Sequence, residues 1–289
     1  MEHKMLFEKL YQRGYGCRPL LGGNRTRFLV LRKYVIQEIR SRYSPVILDM
    51  GCGTGTFSLE FAKIKPEAMI VGVDISETAV KIAIKLAKTH SLDNVSFVVC
   101  DAEHLPFRSE CFGVCFYSEL LEHVLNPELV VKESARVLKK GGRLIASIPS
   151  ANKCSFEWII SILCGGVTCI DEGRSLFYFD RCPRVGHPMF YRFTDRWILN
   201  NYFKHSVMIE KIEYHAHLFT PIIEAVYHAI KHSIHKKSEL MLRSSARLLF
   251  EFLSRICSLD YVLFRKVPSG SNMIILGRKR THREHDVAR

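Results

Sequence analysis

The chain has 289 residues, of which 47% are hydrophobic and 25% charged, a balance that excludes a disordered or fibrous protein. Lys and Arg outnumber Asp and Glu by 42 to 29, and the net charge of +13 either meets an anionic partner or solubilises the surface. No secretory signal and no apolar stretch of about 18 residues can be recognised. We therefore expect a cytoplasmic protein without a transmembrane segment, whose ten cysteines are reduced thiols.

The charge is unevenly distributed, and together with the hydrophobic pattern it divides the chain. Residues 45–150 hold 11 basic and 13 acidic residues, whereas both flanks are basic. We expect an N-terminal helical lead-in over 1–44, a ligand-binding core over 45–150, a substrate-side insertion over 151–205, closing strands over 206–278 with an inserted helical pair at 220–262, and a charged tail over 279–289.

Five short apolar runs alternate with helical patterns in the core. The runs begin at Val46, Met69, Val95, Val114 and Leu144. The helical patterns cover 54–64, 77–90 and 120–139, and the last should stop at Gly141-Gly142. This alternation predicts an α/β fold with a doubly wound, parallel sheet, and residues 206–215 and 272–277 are expected to add two strands. Ligands of such sheets bind beyond the carboxyl ends of the strands.

A glycine-rich turn follows the first predicted strand and reads Asp49-Met50-Gly51-Cys52-Gly53-Thr54-Gly55. A dinucleotide-binding turn would need a further glycine where the chain has Thr56, and a P-loop would need a lysine. Asp49 would also repel a pyrophosphate group. An acidic turn suits a ligand that is cationic at this end, and S-adenosylmethionine has a sulfonium and an ammonium group but no phosphate.

Acidic residues also lie at the ends of the next strands. Asp74 ends the second strand, where a carboxylate can accept hydrogen bonds from two ribose hydroxyls, and the neighbouring Ile75 can pack on an adenine face. Asp101 follows the third strand, where it can accept from an exocyclic amine. Each could instead be a helix N-cap. Three such residues at consecutive strand ends, beside a glycine turn, favour an adenosyl ligand.

The motifs resemble, in order and spacing, those of class I S-adenosylmethionine-dependent methyltransferases: VILDMGCGTGTFS, GVDIS, CDAEHLPF, SELLEHV and LKKGGRLIASIPS. The resemblance covers residues 45–150 and continues more loosely through HPMFYRFT at 187–194. It is nearest to the ubiquinone-biosynthesis O-methyltransferase group, also called methyltransferase type 11. It implies a mostly parallel, seven-stranded Rossmann-like sheet whose last strand is antiparallel, with helical insertions.

The resemblance also implies a cofactor-binding role for residues at the strand ends. The glycines of the turn would lie under the methionine moiety, Asp74 on the ribose, and Asp101 and Ala102 at the adenine. The full candidate set is Asp49, Gly51, Gly53, Gly55, Asp74, Ile75, Asp101, Ala102 and Ser118.

Glu119, Glu122 and His123 form a candidate catalytic cluster. Their spacing of i, i+3 and i+4 would place them on one face of a helix, where with His187 they could bind a divalent cation such as Mg²⁺ or Mn²⁺. The pattern resembles the Glu-x-x-Glu-His…His metal site of small-RNA 2′-O-methyltransferases. Alternatively, His123 or His187 acts as a general base without a metal, or the acids are favoured at a helix start by its dipole alone. The candidate catalytic residues are therefore His123, Glu122 and His187.

The residues outside the core bear on the methyl acceptor. The helical pair at 220–262 has apolar stripes edged with Lys and Arg, so it either packs together as a cap or makes peripheral contact with an anionic membrane. Aromatic and basic side chains over 177–193 could wall a small-molecule or lipidic acceptor, or hold single-stranded RNA.

Three functions remain open at this point. We expect O-methylation of a small-molecule, lipid-linked or glycan-type acceptor. Methylation of an RNA 2′-hydroxyl with a divalent metal is the alternative, with nucleic acid the less favoured partner. A cofactor-binding protein without catalysis is the third hypothesis, and an intact Glu119, Glu122 and His123 cluster argues against it.

Overall fold

The structure is a computed structural model, and it describes residues 2–12, 23–41, 45–150, 167–171, 174–177, 192–193, 198–217, 219–220, 222–223, 252–253, 255–257, 259–264, 266–267, 270 and 272–280. His187, most of the predicted insertion at 151–205 and most of the predicted helical pair at 220–262 lie outside these residues.

Two helices precede the sheet, α1 (Glu2–Gln12) and α2 (Gly23–Arg40). The core then runs through β1 (Val46–Met50), α3 (Thr56–Ile64), β2 (Met69–Asp74), α4 (Glu77–Thr89), β3 (Val95–Val99), β4 (Phe112–Ser118), a 3-10 turn (Leu121–His123), α5 (Pro127–Val137) and β5 (Leu138–Pro149). The later elements are β6 (Val167–Asp171), β7 (Arg174–Phe177), β8 (Arg192–Phe193), a π-helical turn (Leu199–Phe203), β9 (Val207–His215) and β10 (Asn272–Lys279).

Seven strands form one sheet in the order β3-β2-β1-β4-β5-β10-β9, and β6, β7 and β8 form a small separate sheet. Strands β1 to β5 pair in parallel, and β10 runs antiparallel to both β5 and β9. The doubly wound α/β sheet with an antiparallel last strand is therefore confirmed. The strand order reverses between β1 and β4, and in such sheets the carboxyl ends of the strands at this point border the ligand crevice.

Both faces of the central strands are buried. Ile47 and Phe116 belong to a cluster with residues of α2 and α3, whereas their neighbours Leu48 and Tyr117 belong to a cluster with residues of α5. Successive side chains of a strand point to opposite faces, so a strand covered on both sides must be apolar at every position. This is why β1 and β4 read as continuous apolar runs, and it gives the crevice a rigid base.

The predicted helix at 120–139 is wrong in its extent. The structure has the 3-10 turn at Leu121–His123, and α5 begins separately at Pro127 and ends at Val137. Proline is tolerated at the first helical position, where its missing N–H would have no partner, but it breaks a helix from within. Gly141 and Gly142, predicted to end this helix, lie within β5 instead.

Helical residues before β10 pack on β9. They are residues 252–253, 255–257 and 259–264, and we call them the C-terminal helical residues. The Tyr261 hydroxyl donates to Glu213 of β9 at 3.0 Å, and the Thr220 amide donates to the buried Asp260 at 3.2 Å. No helix in the described part of the chain is long and apolar enough to cross a membrane.

Candidate functional site

A cavity of about 170 Å³ lies in the crevice at the carboxyl ends of β1, β2 and β4. Several of the predicted cofactor-binding residues line it, namely Gly51, Asp74, Ile75, Asp101, Ala102 and Ser118. Glu119 and His123 of the predicted catalytic cluster line it as well. The structure therefore brings the separate strand-end motifs of the sequence together around one space.

The glycine turn folds back onto the next strand. The backbone amides of Gly51 and Cys52 both donate to the carbonyl of Val73, at 2.8 and 2.9 Å. Gly55 has a φ of +81°, in the left-handed region, and a Cβ at this position would lie 2.8 Å from the ring of Phe97. Glycine is required here both by the backbone conformation and by the close packing beneath it.

Asp74 ties the turn to the start of α4. One carboxylate oxygen accepts the Gly53 amide at 2.8 Å, and the other accepts the Ser76 amide at 2.9 Å. Burial raises the pKa of Asp74 above its usual range, and these two hydrogen bonds oppose that rise. Because a carboxylate has about four acceptor sites, the side chain at the cavity wall can still accept further hydrogen bonds.

Asp49 lies beneath the turn and is almost fully buried. The Ser58 hydroxyl donates to it at 2.6 Å. Burial, with a smaller repulsion from Asp74, raises the pKa of Asp49 to about 7, even though the Ser58 hydrogen bond acts in the opposite direction. A buried carboxyl that is only partly ionised near neutral pH becomes more stable when a cation lies close to it.

Asp101 lines the cavity after β3 and is exposed. Its carboxylate accepts the Glu103 amide at 2.9 Å within a turn, and because no helix begins there, Asp101 is not the helix N-cap considered as the alternative. The neighbouring Ala102 is buried, and Ile75 and Cys100 are partly buried beside it on the cavity wall. These three side chains give this end of the cavity an apolar surface.

Helix α1 covers the cavity from the other side. Phe7 and Tyr11 line it, and a Cβ on Gly53 would lie 2.8 Å from the Tyr11 hydroxyl. The ring of Phe7 also meets the ring of His123 edge to face, with their centres 5.9 Å apart. The N-terminal lead-in is therefore part of the site.

Glu8 fastens α1 to the start of α4. Its carboxylate accepts the Ser76 hydroxyl at 2.8 Å and the Thr78 amide at 3.2 Å, and it also accepts the Thr78 hydroxyl. Burial tends to raise the pKa of Glu8, but the hydrogen bonds from Thr78 and Ser76 together bring it below its usual range. A carboxylate at the first turn of α4 is also favoured by the helix dipole.

Arg27 of α2 reaches the same cavity. Its guanidinium forms an ion pair with Glu119, with nitrogen and oxygen 3.1 Å apart, and Glu119 also accepts the Ser147 hydroxyl of β5 at 3.2 Å. Since β4 and β5 lie on one side of β1 and Asp74 lies on the other, Arg27 supplies positive charge at the end of the cavity away from Asp74.

The predicted helical face of Glu119, Glu122 and His123 is wrong. Glu119 follows β4 with a φ of +55°, and only the 3-10 turn at Leu121–His123 follows it. Glu122 is fully buried, and its carboxylate lies 3.6 Å from Nε2 of His123. Strand β4 ends at Ser118, and the chain turns sharply at Glu119. The helix that the spacing predicted therefore does not begin there.

The described residues contain no group of three or more His, Cys, Asp or Glu side chains arranged to hold a metal ion. Within them, Glu119 pairs with Arg27, a cation already supplied by the chain. The divalent cation stays a prediction without support, and its fourth proposed ligand, His187, lies outside the described residues.

Sequence reasoning missed the contribution of Phe7, Glu8, Tyr11 and Arg27. None belongs to a motif, and all precede the first strand by many residues. The available signal was the i, i+4 spacing of Phe7 and Tyr11, which puts two aromatic rings on one side of a charged helix. That spacing indicates a covered surface but does not say which one.

Comparison with known proteins places these features in a family. Residues 44–168 match the family model described as a methyltransferase domain. The ubiquinone biosynthesis O-methyltransferase of Coxiella burnetii is 36% identical over 128 residues, which cover 44% of this chain and 53% of the relative. The chain thus matches about half the length of this curated relative.

Two solved structures share the fold. An S-adenosylmethionine-dependent methyltransferase from Methanosarcina mazei is 21% identical, with a TM-score of 0.54 over 83% of this chain and 96% of that chain. The 4+2 cyclase SpnF is 19% identical, with a TM-score of 0.58 over 87% of this chain and 80% of that chain. At these identities the likeness concerns the fold alone, which serves more than one reaction.

Proposed function

The chain belongs, through residues 44–168, to the class I S-adenosylmethionine-dependent methyltransferases, and from this premise we propose that it O-methylates a small-molecule, lipid-linked or glycan-type acceptor. The observation that carries the proposal is the acidic crevice at the switch point of the sheet, with Asp49, Asp74 and Asp101 at three adjacent strand ends. Bound S-adenosylmethionine would supply a methyl group activated by a positively charged sulfur.

The strand ends on the Asp74 side hold the adenosyl part of the donor. Asp74 accepts hydrogen bonds from the ribose hydroxyls with the acceptor sites that Gly53 and Ser76 leave over. Asp101 accepts from the adenine amine, and Ile75 and Ala102 pack on the adenine faces. Ser118 lies at the end of β4, at the cavity wall, and is the last of the proposed cofactor-binding residues.

The methionine part of the donor lies over the glycine turn. It carries a carboxylate as well as an ammonium group, and an acidic crevice alone would repel the carboxylate. Among the described residues that line the cavity, Arg27 is the one Lys or Arg, so we assign the carboxylate to its guanidinium. A planar guanidinium can bind a carboxylate through two parallel hydrogen bonds.

Helix α1 has to move for the donor to enter. The cavity of about 170 Å³ is smaller than the roughly 300–1,000 Å³ of pockets that enclose ligands of this size. Tyr11 rests on the glycine turn, and Glu8 holds the helix closed on α4. Closure after entry would exclude water from the reacting groups.

Methyl transfer needs a base on the acceptor side. The acceptor oxygen attacks the methyl carbon while the carbon–sulfur bond breaks, the electron pair of that bond goes to sulfur, and the proton of the acceptor goes to the base. We assign this role to His123, which lines the cavity, with Glu122 positioning its ring. His187 is the second candidate, and a metal-assisted route has no support among the described residues.

The acceptor class rests on the relatives. The name of the matched Coxiella burnetii protein refers to ubiquinone biosynthesis, and among the proposed acceptors this favours a hydroxylated aromatic compound, free or lipid-linked. Peripheral contact with an anionic membrane would fit such an acceptor. Neither the comparisons nor the described residues favour RNA.

A transfer assay tests the proposal. The purified protein is incubated with donor labelled in its methyl group and with three acceptors: a prenylated catechol, a lipid-linked sugar and a structured RNA. Label in one of the first two, lost in the His123→Ala variant, is the expected result. Label in RNA alone, or donor binding without transfer to any acceptor, would contradict it.

A further inference from the structure

One side of the C-terminal helical residues is apolar and exposed. Phe252, Leu259, Val262 and Leu263 have 60%, 54%, 60% and 65% of their surface exposed. Their separations of three, four and seven positions place them on one side of a helix. We call these four residues the outer face, and Val267, which follows the helical residues, adds a further exposed apolar side chain.

The opposite side of the same helical residues is anchored to the sheet. Asp260 is fully buried, the Tyr261 hydroxyl donates to Glu213 of β9, and the ring of Phe264 lies 6.0 Å from the ring of His217. Tyr261 and Phe264 fall on the side of the helix opposite the outer face, and Asp260 falls between the two sides. These contacts fix the rotation of the helix, so the outer face points away from the protein.

Two exposed cations accompany the outer face. Arg255 falls at a helical position on the same side as the outer face, and Lys266 lies in the turn that comes after the helical residues. Among the described residues from 252 to 267, the single acid is Asp260, and it is buried. An apolar helical surface with Lys and Arg beside it matches the boundary between acyl chains and anionic headgroups.

We propose that the outer face, with Arg255 and Lys266, docks the protein on an anionic lipid bilayer. A second copy of the chain is a poorer occupant, because two such faces would bring like charges together in a chain whose net charge is +13. Anionic headgroups instead attract each Lys or Arg that lies near the bilayer surface.

The docked face and the cavity lie at the same end of the sheet, with β10 and β5 between β9 and β4. Strand β9 runs in the same direction as β1 to β5, so its carboxyl end, followed by His217, lies at the edge of the sheet that holds the cavity. A lipid-linked acceptor could then reach the cavity without leaving the bilayer surface. This last consequence rests on the proposed function, whereas the docking does not.

Vesicle flotation of the full-length protein tests the docking. Vesicles of phosphatidylcholine are compared with vesicles that also contain phosphatidylglycerol, at low and high salt. Wild type is expected to float with the anionic vesicles only, and less at high salt. The triple variant Phe252→Ser, Leu259→Ser, Leu263→Ser should bind more than about 10-fold more weakly, and Arg255→Gln with Lys266→Gln several-fold more weakly.

Two matched controls distinguish an effect of the outer face from a general effect of lost apolar surface or lost positive charge. Met69→Ser removes an apolar side chain of similar exposure on β2, far from the outer face in the order of strands, and Lys85→Gln with Lys88→Gln makes the same charge change on α4. Both should float like wild type, and circular dichroism melting should show every variant folded.

Three results would overturn the docking. They are no flotation of wild type, equal flotation of the triple variant, and a dimer seen by light scattering that the triple variant abolishes. Calorimetry with S-adenosylhomocysteine reports on the proposed function separately. If the protein floats but does not bind this nucleoside, the docking proposal is supported and the proposed function is contradicted.

Discussion

The two sides of the cavity are built in different ways. The floor, which we define as Asp49, the glycine turn at 51–55, Asp74 and Asp101, comes from the ends of three adjacent parallel strands. The cover, which we define as Phe7, Glu8, Tyr11 and Arg27, comes from two helices that precede the sheet. The floor is acidic and fixed to a core buried on both faces. Within the cover, α2 packs into the same core, whereas α1 is attached through Glu8 and a few ring contacts.

The difference separates recognition from access. Residues on rigid strand ends can hold a ligand in a defined orientation, since the sheet fixes their positions. A helix held by one carboxylate and a few ring contacts can open at modest free-energy cost. We therefore expect changes in the floor to alter affinity and stability, and changes in the cover to alter the methionine contact and the rates of entry and exit.

The largest effect is expected at Asp49, because burial of its carboxylate in the floor disfavours the charged form. Its folded pKa of about 7 lies above the value of about 3.9 in an unfolded chain, so the folded state binds the proton more tightly. The free energy of unfolding without ligand should therefore fall as pH rises from about 4 to about 7. Asp49→Asn should remove this decline and raise stability at pH 8 by on the order of 4 kcal/mol.

Urea unfolding at several pH values measures this, with Asp93→Asn as the control because Asp93 is an exposed acid. The same Asp49→Asn variant should bind S-adenosylmethionine more weakly than wild type does. An unchanged pH dependence in the variant would show that Asp49 is not the titrating group.

Asp74 tests the orientation that the floor gives to the ribose. Asp74→Ala should weaken S-adenosylhomocysteine binding by about 100-fold, because hydrogen bonds to a charged group contribute about 1.5–3 kcal/mol each in a buried site. Isothermal calorimetry measures the affinity, and Asp93→Ala is the matched loss of an acid. Equal affinities in Asp74→Ala and wild type would remove Asp74 from the site.

Arg27 tests whether the cover contributes to binding as well as to closure. Arg27→Met should weaken S-adenosylhomocysteine binding by about 30-fold, with Arg27→Lys intermediate, since a partly buried guanidinium–carboxylate pair is replaced by an apolar side chain. Binding of 5′-methylthioadenosine, which lacks the amino-acid part, should not change.

Arg32→Met is the control, because Arg32 pairs with Glu60 on the surface. If Arg27→Met weakens both nucleosides equally, the arginine stabilises the fold of the site and does not contact the carboxylate.

The smallest effect is expected at the contact that closes the cover. Glu8→Ala removes the hydrogen bonds to Ser76 and Thr78, so the release of S-adenosylhomocysteine should accelerate about 10-fold, an amount equal to roughly 1.4 kcal/mol. Stopped-flow fluorescence measures the release rate. Lys9→Ala, an exposed change on the same helix, should leave it unaltered. Equal rates for the two variants would mean that α1 does not gate the cavity.

The floor was predictable from the sequence because its residues follow local rules. A buried parallel strand is a short apolar run, and the residues just after it meet at one edge of the sheet. Asp74 and the glycine turn could therefore be placed side by side although they are separated along the chain. The number of strands and the antiparallel last strand came from the resemblance to a family, whereas the strand order was not predicted.

The cover could not be predicted because its contacts are long-range and carry no motif. Nothing in the sequence around Tyr11 indicates that its hydroxyl lies against Gly53, 42 positions further along. The cluster at Glu119 failed for a local reason, since the spacing was compatible with a helix but the backbone turns sharply at that residue and α5 starts later, at Pro127.

Calorimetric titration of the wild-type protein tests the central claim most directly. The acidic floor is expected to bind S-adenosylmethionine and S-adenosylhomocysteine with one site per chain, and not to bind NAD or ATP, whose phosphates Asp49 and Asp74 would repel. Binding of NAD or ATP, with no heat from either adenosyl compound, would contradict the account.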